Sequence, residues 1–273
     1  MLATGVIVFR EVIEAALIIS IVMAASQGVQ GRTAWIGSGL AIGLVASCVV
    51  AFFADRLAMA ASGIGQDLFN AIVLLTAVLL LGWHNVWMQQ HGRELANEMR
   101  QLGQSVATGS RPLYALATVV GLAVLREGTE VVLFLYGVMT SGEEAGSLTL
   151  GGLFGLLLGV AMGVAMYFGL LRVPHQRLFA VTSGLILFLA AGLAAQAAAS
   201  LVQADLVPPL GRAVWDTSEL LPEESLTGRL LHVLVGYVAQ PDGIQIVFYF
   251  ITLTVIFVMM QVCRLKPVGL PGK

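Results

Sequence analysis

Seven long apolar runs, separated by shorter polar stretches, organise the chain. They lie near 3–24, 34–54, 68–88, 113–139, 148–171, 178–202 and 244–263, each close to the roughly 20 residues that carry a helix across a hydrocarbon core. Within each run the apolar residues are continuous rather than alternating, which predicts helices and argues against barrel strands. The expected fold is an all-α membrane protein with seven transmembrane helices. Composition agrees: 58% of the 273 residues are hydrophobic and 11% charged, with mean hydropathy +0.90, against about half apolar and a quarter charged in soluble domains. The first run ends in Ala24-Ala25-Ser26, similar to a secretion cleavage site, but it lacks a basic leader and carries three charges, so it is expected to be retained. Cys48 and Cys263 both fall in apolar runs and suggest neither a disulfide framework nor a thiolate metal site.

The polar stretches set the expected orientation. With the N-terminus out and the C-terminus in, the inner side receives most of the Lys and Arg, including Arg93, Arg100, Arg111, Arg172 and Arg177, while the outer side holds only Arg56, Arg212 and Arg229. That is the usual cytoplasmic bias. The same orientation puts most acids outside, where they would concentrate cations. The inner connection, 89–112, places Leu95, Met99 and Leu102 at helical spacing, which predicts a short amphipathic helix against the bilayer or the bundle. The outer acidic loop, 203–243, contains WDTSELLPEES followed by an apolar, turn-rich piece.

Part of the chain recurs. Gly5 to Glu14, GVIVFREVIE, aligns with Gly121 to Glu130, GLAVLREGTE, and QDLF at 66–69 returns as QRLF at 176–179. Three runs followed by three related runs must insert in opposite senses, because three is odd. The expected plan is two inverted three-helix repeats, about 1–88 and 113–202, plus a seventh helix at 244–263. Transporters of this plan place their sites near the midplane, where the repeats meet.

The repeated element holds the candidate chemistry. Arg10, Glu11 and Glu14 sit in the middle of one run, and Arg126, Glu127 and Glu130 in the middle of another. Left unpaired in lipid, six such charges would cost roughly 15–20 kcal/mol. They must therefore face the bundle interior. Positions i, i+1 and i+4 share one helix face, so Arg10 can reach Glu14 and Arg126 can reach Glu130. Each cluster keeps one net negative charge, and two clusters brought together present four carboxylates that a divalent cation would neutralise. Oxygen donors without thiols suit Mg²⁺, Ca²⁺, Mn²⁺ and iron. The plainer reading of either cluster alone is an ion pair joining helices.

Two R-E-x-x-E motifs, REVIE and REGTE, in the first and fourth of seven runs resemble those of the iron permease family of oxidase-coupled iron uptake, fungal and bacterial. WDTSEL in the outer loop is similar to that family's acidic Asp-x-Ser-Glu element. The resemblance covers essentially the whole chain. It implies iron translocation, with Glu11, Glu14, Glu127 and Glu130 handling metal, Arg10 and Arg126 tuning them, and Asp216 and Glu219 capturing ions outside. It further implies periplasmic or extracellular partner proteins that oxidise or bind iron, and no permanently bound cofactor, iron being the substrate. Four positions depart from the family pattern: Val12-Ile13 replaces Gly-Leu between the acids of the first motif, Thr129 replaces the Leu after Gly128 in the second, and Asn70 stands where relatives often carry an acid.

Other candidates are weaker. His84 could line the pathway, although a core or interfacial histidine is the simpler reading. Thr129 could add a hydroxyl ligand or hydrogen-bond its own helix. Trp35, Trp83, Trp87 and Trp215 read as interfacial anchors, and Asn85, Gln196 and Gln203 as helix glue. The chain has no clustered Cys and His and no phosphate-binding glycine loop, so iron oxidation and ATP use are not expected of it. No nucleic-acid partner is expected, and membrane lipid is the solvent. The rival functions are transport of another cation, Mn or Pb, and an intramembrane metal-dependent enzyme; the symmetric motif lacks the asymmetric nucleophile, base and orienter of the latter.

Overall fold

A computed structural model describes residues 2–61, 66–140, 145–168, 175–223 and 225–265. Every described element is helical, in the order α1 (Leu2–Ala25), α2 (Arg32–Ala61), α3 (Gln66–Ala107), α4 (Tyr114–Thr140), α5 (Ala145–Tyr167), α6 (His175–Gln203), α7 (Leu226–Val235) and α8 (Gly243–Leu265). Over its described residues, each of the seven apolar runs falls on a helix, apart from the turn residues Leu113 and Phe168. Five segments, on α2, α3, α5, α6 and α8, are long and apolar enough to cross a membrane by composition alone. The helices α1 and α4 are as long, at 24 and 27 residues, but carry three charges each at their centres.

Two stretches differ from the sequence expectation. The inner connection holds no separate amphipathic helix: α3 runs unbroken for 42 residues, about 63 Å at 1.5 Å per residue, twice the roughly 30 Å of hydrocarbon. No proline interrupts 89–107, and Leu95, Met99 and Leu102 pack against the cluster of Ile18, Val22 and Val120, so their apolar face continues the bundle core. The outer loop in turn contains a helix, α7. Ser225 caps it by accepting from Gly228 N at 2.9 Å, and Gly236 ends it at φ 72°, the left-handed conformation that glycine adopts freely.

The helices pair across the bundle rather than along the chain. The most extensive pairings are α1 with α5, α2 with α4, and α3 with α6; α1 also meets α4 and α3. Small residues make the first two crossings. A Cβ on Gly155 would come within 3.0 Å of Phe9 N, and one on Gly39 within 2.9 Å of Ala117 Cα, so glycine is required for either approach. Bulk is exchanged between the two crossings: Val12 of α1 lies over Gly159 of α5, whereas Gly128 of α4 lies under Ser47 of α2. The hydrophobic core runs through Leu74 and Leu81 of α3, Phe134 of α4 and Ile186, Ala190 and Ala197 of α6. Apolar stripes such as Ile42, Val45 and Val49 on α2 and Leu150, Phe154 and Leu157 on α5 face outward, as lipid solvation allows.

The segment 204–242 folds back onto the bundle, with α7 against α6 and α1. Val214 N donates to Pro241 O at 2.9 Å and Thr217 N to Ala239 O at 3.0 Å, while Tyr237 hydroxyl donates to Leu221 O at 3.0 Å.

Candidate metal site

The crossing of α1 and α4 brings the two charged motifs together. Both triads form the ion pair that i to i+4 spacing predicts: Arg10 Nε is 3.0 Å from Glu14 Oε1, and Arg126 Nε is 3.1 Å from Glu130 Oε1. The longer contacts also match, at 4.0 Å for Arg10 to Glu11 and 3.9 Å for Arg126 to Glu127. Between the triads, one ligand atom each from Glu11, Glu127, Glu130 and His84 falls within 4.8 Å of all the others. Glu14 stands outside that set, against Arg10. Both oxygens of Glu11 and Oε2 of Glu127 are buried without a hydrogen-bond donor. Buried carboxylate oxygens left bare are costly, and a cation at their convergence would supply what the protein does not.

His84, on α3, is 4% exposed and central. Its Nε2 lies 3.8 Å from Glu11 Oε2 and 3.5 Å from Glu14 Oε2, and its Nδ1 contacts Glu130 Oε2. By burial it is the core histidine of the simpler sequence reading, and its ring joins acids of both motifs. Phe134 holds it edge-on at 6.4 Å between ring centres. Thr129 donates to Leu125 O at 2.7 Å, within its own helix. Asn85 donates to Ser183 O at 3.1 Å, tying α3 to α6.

The triads differ in surroundings. Arg10, Glu11 and Glu14 are sealed at 1, 1 and 2% exposure, whereas the side chains of Arg126 and Glu130 are 35% and 19% exposed. They border a cavity of about 320 Å³ shared with Trp83, His84, Trp87 and Phe134. The Trp87 ring lies 4.2 Å beneath the Arg126 guanidinium. Sequence reading missed Trp87 and Phe134 as site residues; the only available signal was the i to i+4 repeat of Trp83 and Trp87 above an Arg-bearing helix.

Asp216 and Glu219 are exposed, in the segment between α6 and α7, and are not among the acids that converge at His84. Donation from the Ser218 hydroxyl, from Ser218 N at 3.0 Å and from Gln240 Nε2 at 2.8 Å holds the Asp216 carboxyl below the usual aspartate range. Arg93, Arg177 and Arg229 have no described side chains, and Arg172, Glu143, Glu144 and Glu224 lie outside the described residues.

Residues 1–269 match the Iron permease FTR1 family. The chain belongs to that family. It is similar to the ferrous iron permease EfeU of Yersinia pestis, 30% identical over 251 residues that cover 90% of this chain and 88% of that protein. It is also similar to the ferrous iron permeases EfeU of Escherichia coli O6:K15:H31 and Shigella sonnei, each 32% identical over 252 residues, 90% of either chain. No solved structure matches it. As a permease-family member with this run of apolar helices, it is a multi-pass protein of the cytoplasmic membrane.

Proposed function

We propose that the protein is an iron permease that moves iron ions into the cell, and that the ion passes through the carboxylates of the two R-E-x-x-E motifs. The carrying observation is the convergence of Glu11 from one motif with Glu127 and Glu130 from the other, within 4.8 Å, with Glu11 lacking any donor. Helices from two halves of the chain supply one cage. Arg10 and Arg126 hold Glu14 and Glu130 in orientation and limit the net negative charge that the ion must balance.

In this reading α1 to α6 and α8 cross the membrane, with the N-terminus outside and the C-terminus inside. Residues 1–88 and 113–202 form oppositely inserted halves joined by 89–112. The exchange of partners supports this: α1 pairs with α5 as α4 pairs with α2, and Gly5 and Gly121 occupy like places in the two crossings. The outer segment, with Asp216 and Glu219, receives iron from a periplasmic or extracellular protein that oxidises or binds it, and no cofactor stays bound. Radiolabelled iron uptake into vesicles tests the reading. Wild-type protein should accumulate iron, and Glu11→Gln and Glu127→Gln should not, although both insert. Uptake by both variants at the wild-type rate would overturn it, and preferential uptake of Mn²⁺ or Pb²⁺ would redirect it.

A further inference from the structure

We infer that His84 supplies a nitrogen ligand to the permeating ion and so biases the site towards divalent first-row transition ions over Mg²⁺ and Ca²⁺. The inference rests on Glu11, Glu127 and Glu130 being the oxygen ligands, and it adds a donor that neither motif contains. Its ring nitrogens both face carboxylates: Nε2 towards Glu11 and Glu14 of α1, Nδ1 towards Glu130 of α4. The described residues offer the ring nitrogens no partner besides these acids, so the groups that hold the ring are the same carboxylates that converge on the candidate ion position.

The dimensions suit one ion. Bonds of about 2.1 Å to nitrogen and oxygen put opposite donors up to about 4.2 Å apart. The four candidate donors lie within 4.8 Å of one another, so shifts of a few tenths of an ångström would close the cage. Mg²⁺ and Ca²⁺ take oxygen ligands almost exclusively, while imidazole suits iron and its first-row neighbours. A cage of carboxylates alone would not make that distinction.

His84 also breaks the symmetry of the repeat. Aligning QDLF at 66–69 with QRLF at 176–179 sets Ala194 of α6 where the first half has His84. Ala194 is 1% exposed and part of the apolar core. The second half therefore offers no donor at the matching place, and the ion is drawn off the pseudo-two-fold axis towards α3.

Electron spin echo modulation of Mn²⁺ bound to the full-length protein in detergent tests this, because a directly bound imidazole gives a ¹⁴N signature that carboxylates cannot. Wild-type protein and His91→Gln should show it; His84→Gln should bind Mn²⁺ without it and lose discrimination against Mg²⁺ by at least about tenfold, the scale on which single changes around a metal alter affinity. Bound Mn²⁺ lacking ¹⁴N modulation in the wild type, or modulation that survives His84→Gln, overturns the inference. The wild-type spectrum decides even if His84→Gln fails to insert. If Glu11→Gln and Glu127→Gln abolish Mn²⁺ binding while the wild-type ion shows no nitrogen, only the role of His84 fails. If both variants bind Mn²⁺ normally, or the wild type binds none, the carboxylate cage fails with it.

Discussion

The triads of α1 and α4 share a motif but not an environment. Arg10, Glu11 and Glu14 are packed away by α3 and α5, while Arg126 and Glu130 border a cavity and Arg126 rests on Trp87. The same three residue types are thus fully sealed on α1, while on α4 only Glu127 is sealed and Arg126 and Glu130 are partly open to the cavity. A repeated motif fixes which groups meet, and the neighbouring helices fix what each can do. Loss of Arg10 should mainly cost folding, and loss of Arg126 should mainly cost transport.

The largest effect should come from the acids that meet between the triads. Glu11→Ala or Glu127→Ala is expected to lower iron uptake by more than about 100-fold, since even outer-sphere changes at metal sites cost roughly 10–100-fold; vesicle uptake at matched protein levels measures it. Equal, large losses would show that the two halves share one site. Next are the crossings. Gly155→Val and Gly39→Val should each reduce the amount of folded protein by similar factors, because each new side chain meets the backbone of the paired helix; detergent gel filtration reads this, and tolerance of either would break the equivalence of the two halves.

The arginines should then separate. Removing Arg10 strips buried Glu14 of its closest cationic partner and leaves it only His84, a loss of up to about 3–5 kcal/mol, whereas the partly exposed Arg126 should cost less than about 1 kcal/mol of stability. Thermal unfolding of Arg10→Met and Arg126→Met in detergent compares them. A smaller change should follow Trp87→Leu, which removes a cation–π contact worth about 0.5–2 kcal/mol and should alter uptake a few-fold without changing stability much. The smallest effect concerns Asp216. Its folded-state pKa is depressed by Ser218 and Gln240, so its contribution to loop order is present above the ordinary aspartate pKa and lost as pH falls through the lower, folded value. Asp216→Asn should abolish that part of the acid dependence, measured by protease resistance of 204–242 across mildly to strongly acid pH.

Much of this was legible in the sequence because lipid removes alternatives. An apolar run of twenty residues can only be a helix there, and buried charges must find partners, so the two ion pairs followed from spacing alone. Where the sequence expectation departed from the structure, the deciding force was tertiary. The helix expected at 89–112 merged into α3 because no proline interrupts it and its apolar face packs on the bundle core, and α7 emerged in the segment 204–242 from one serine cap and one glycine. His84 looked ordinary because a lone histidine has no periodic partner in sequence; its role depends on where α3 crosses α1 and α4. The contact of Trp87 with Arg126 was hidden for the same reason.

Counting ions tests the shared cage most directly. Equilibrium dialysis of the purified full-length protein against Mn²⁺ should give one ion per chain, and Glu11→Gln and Glu127→Gln should each remove it entirely. Two ions per chain, or one ion retained by each variant, would mean that α1 and α4 carry separate sites and that no single cage exists.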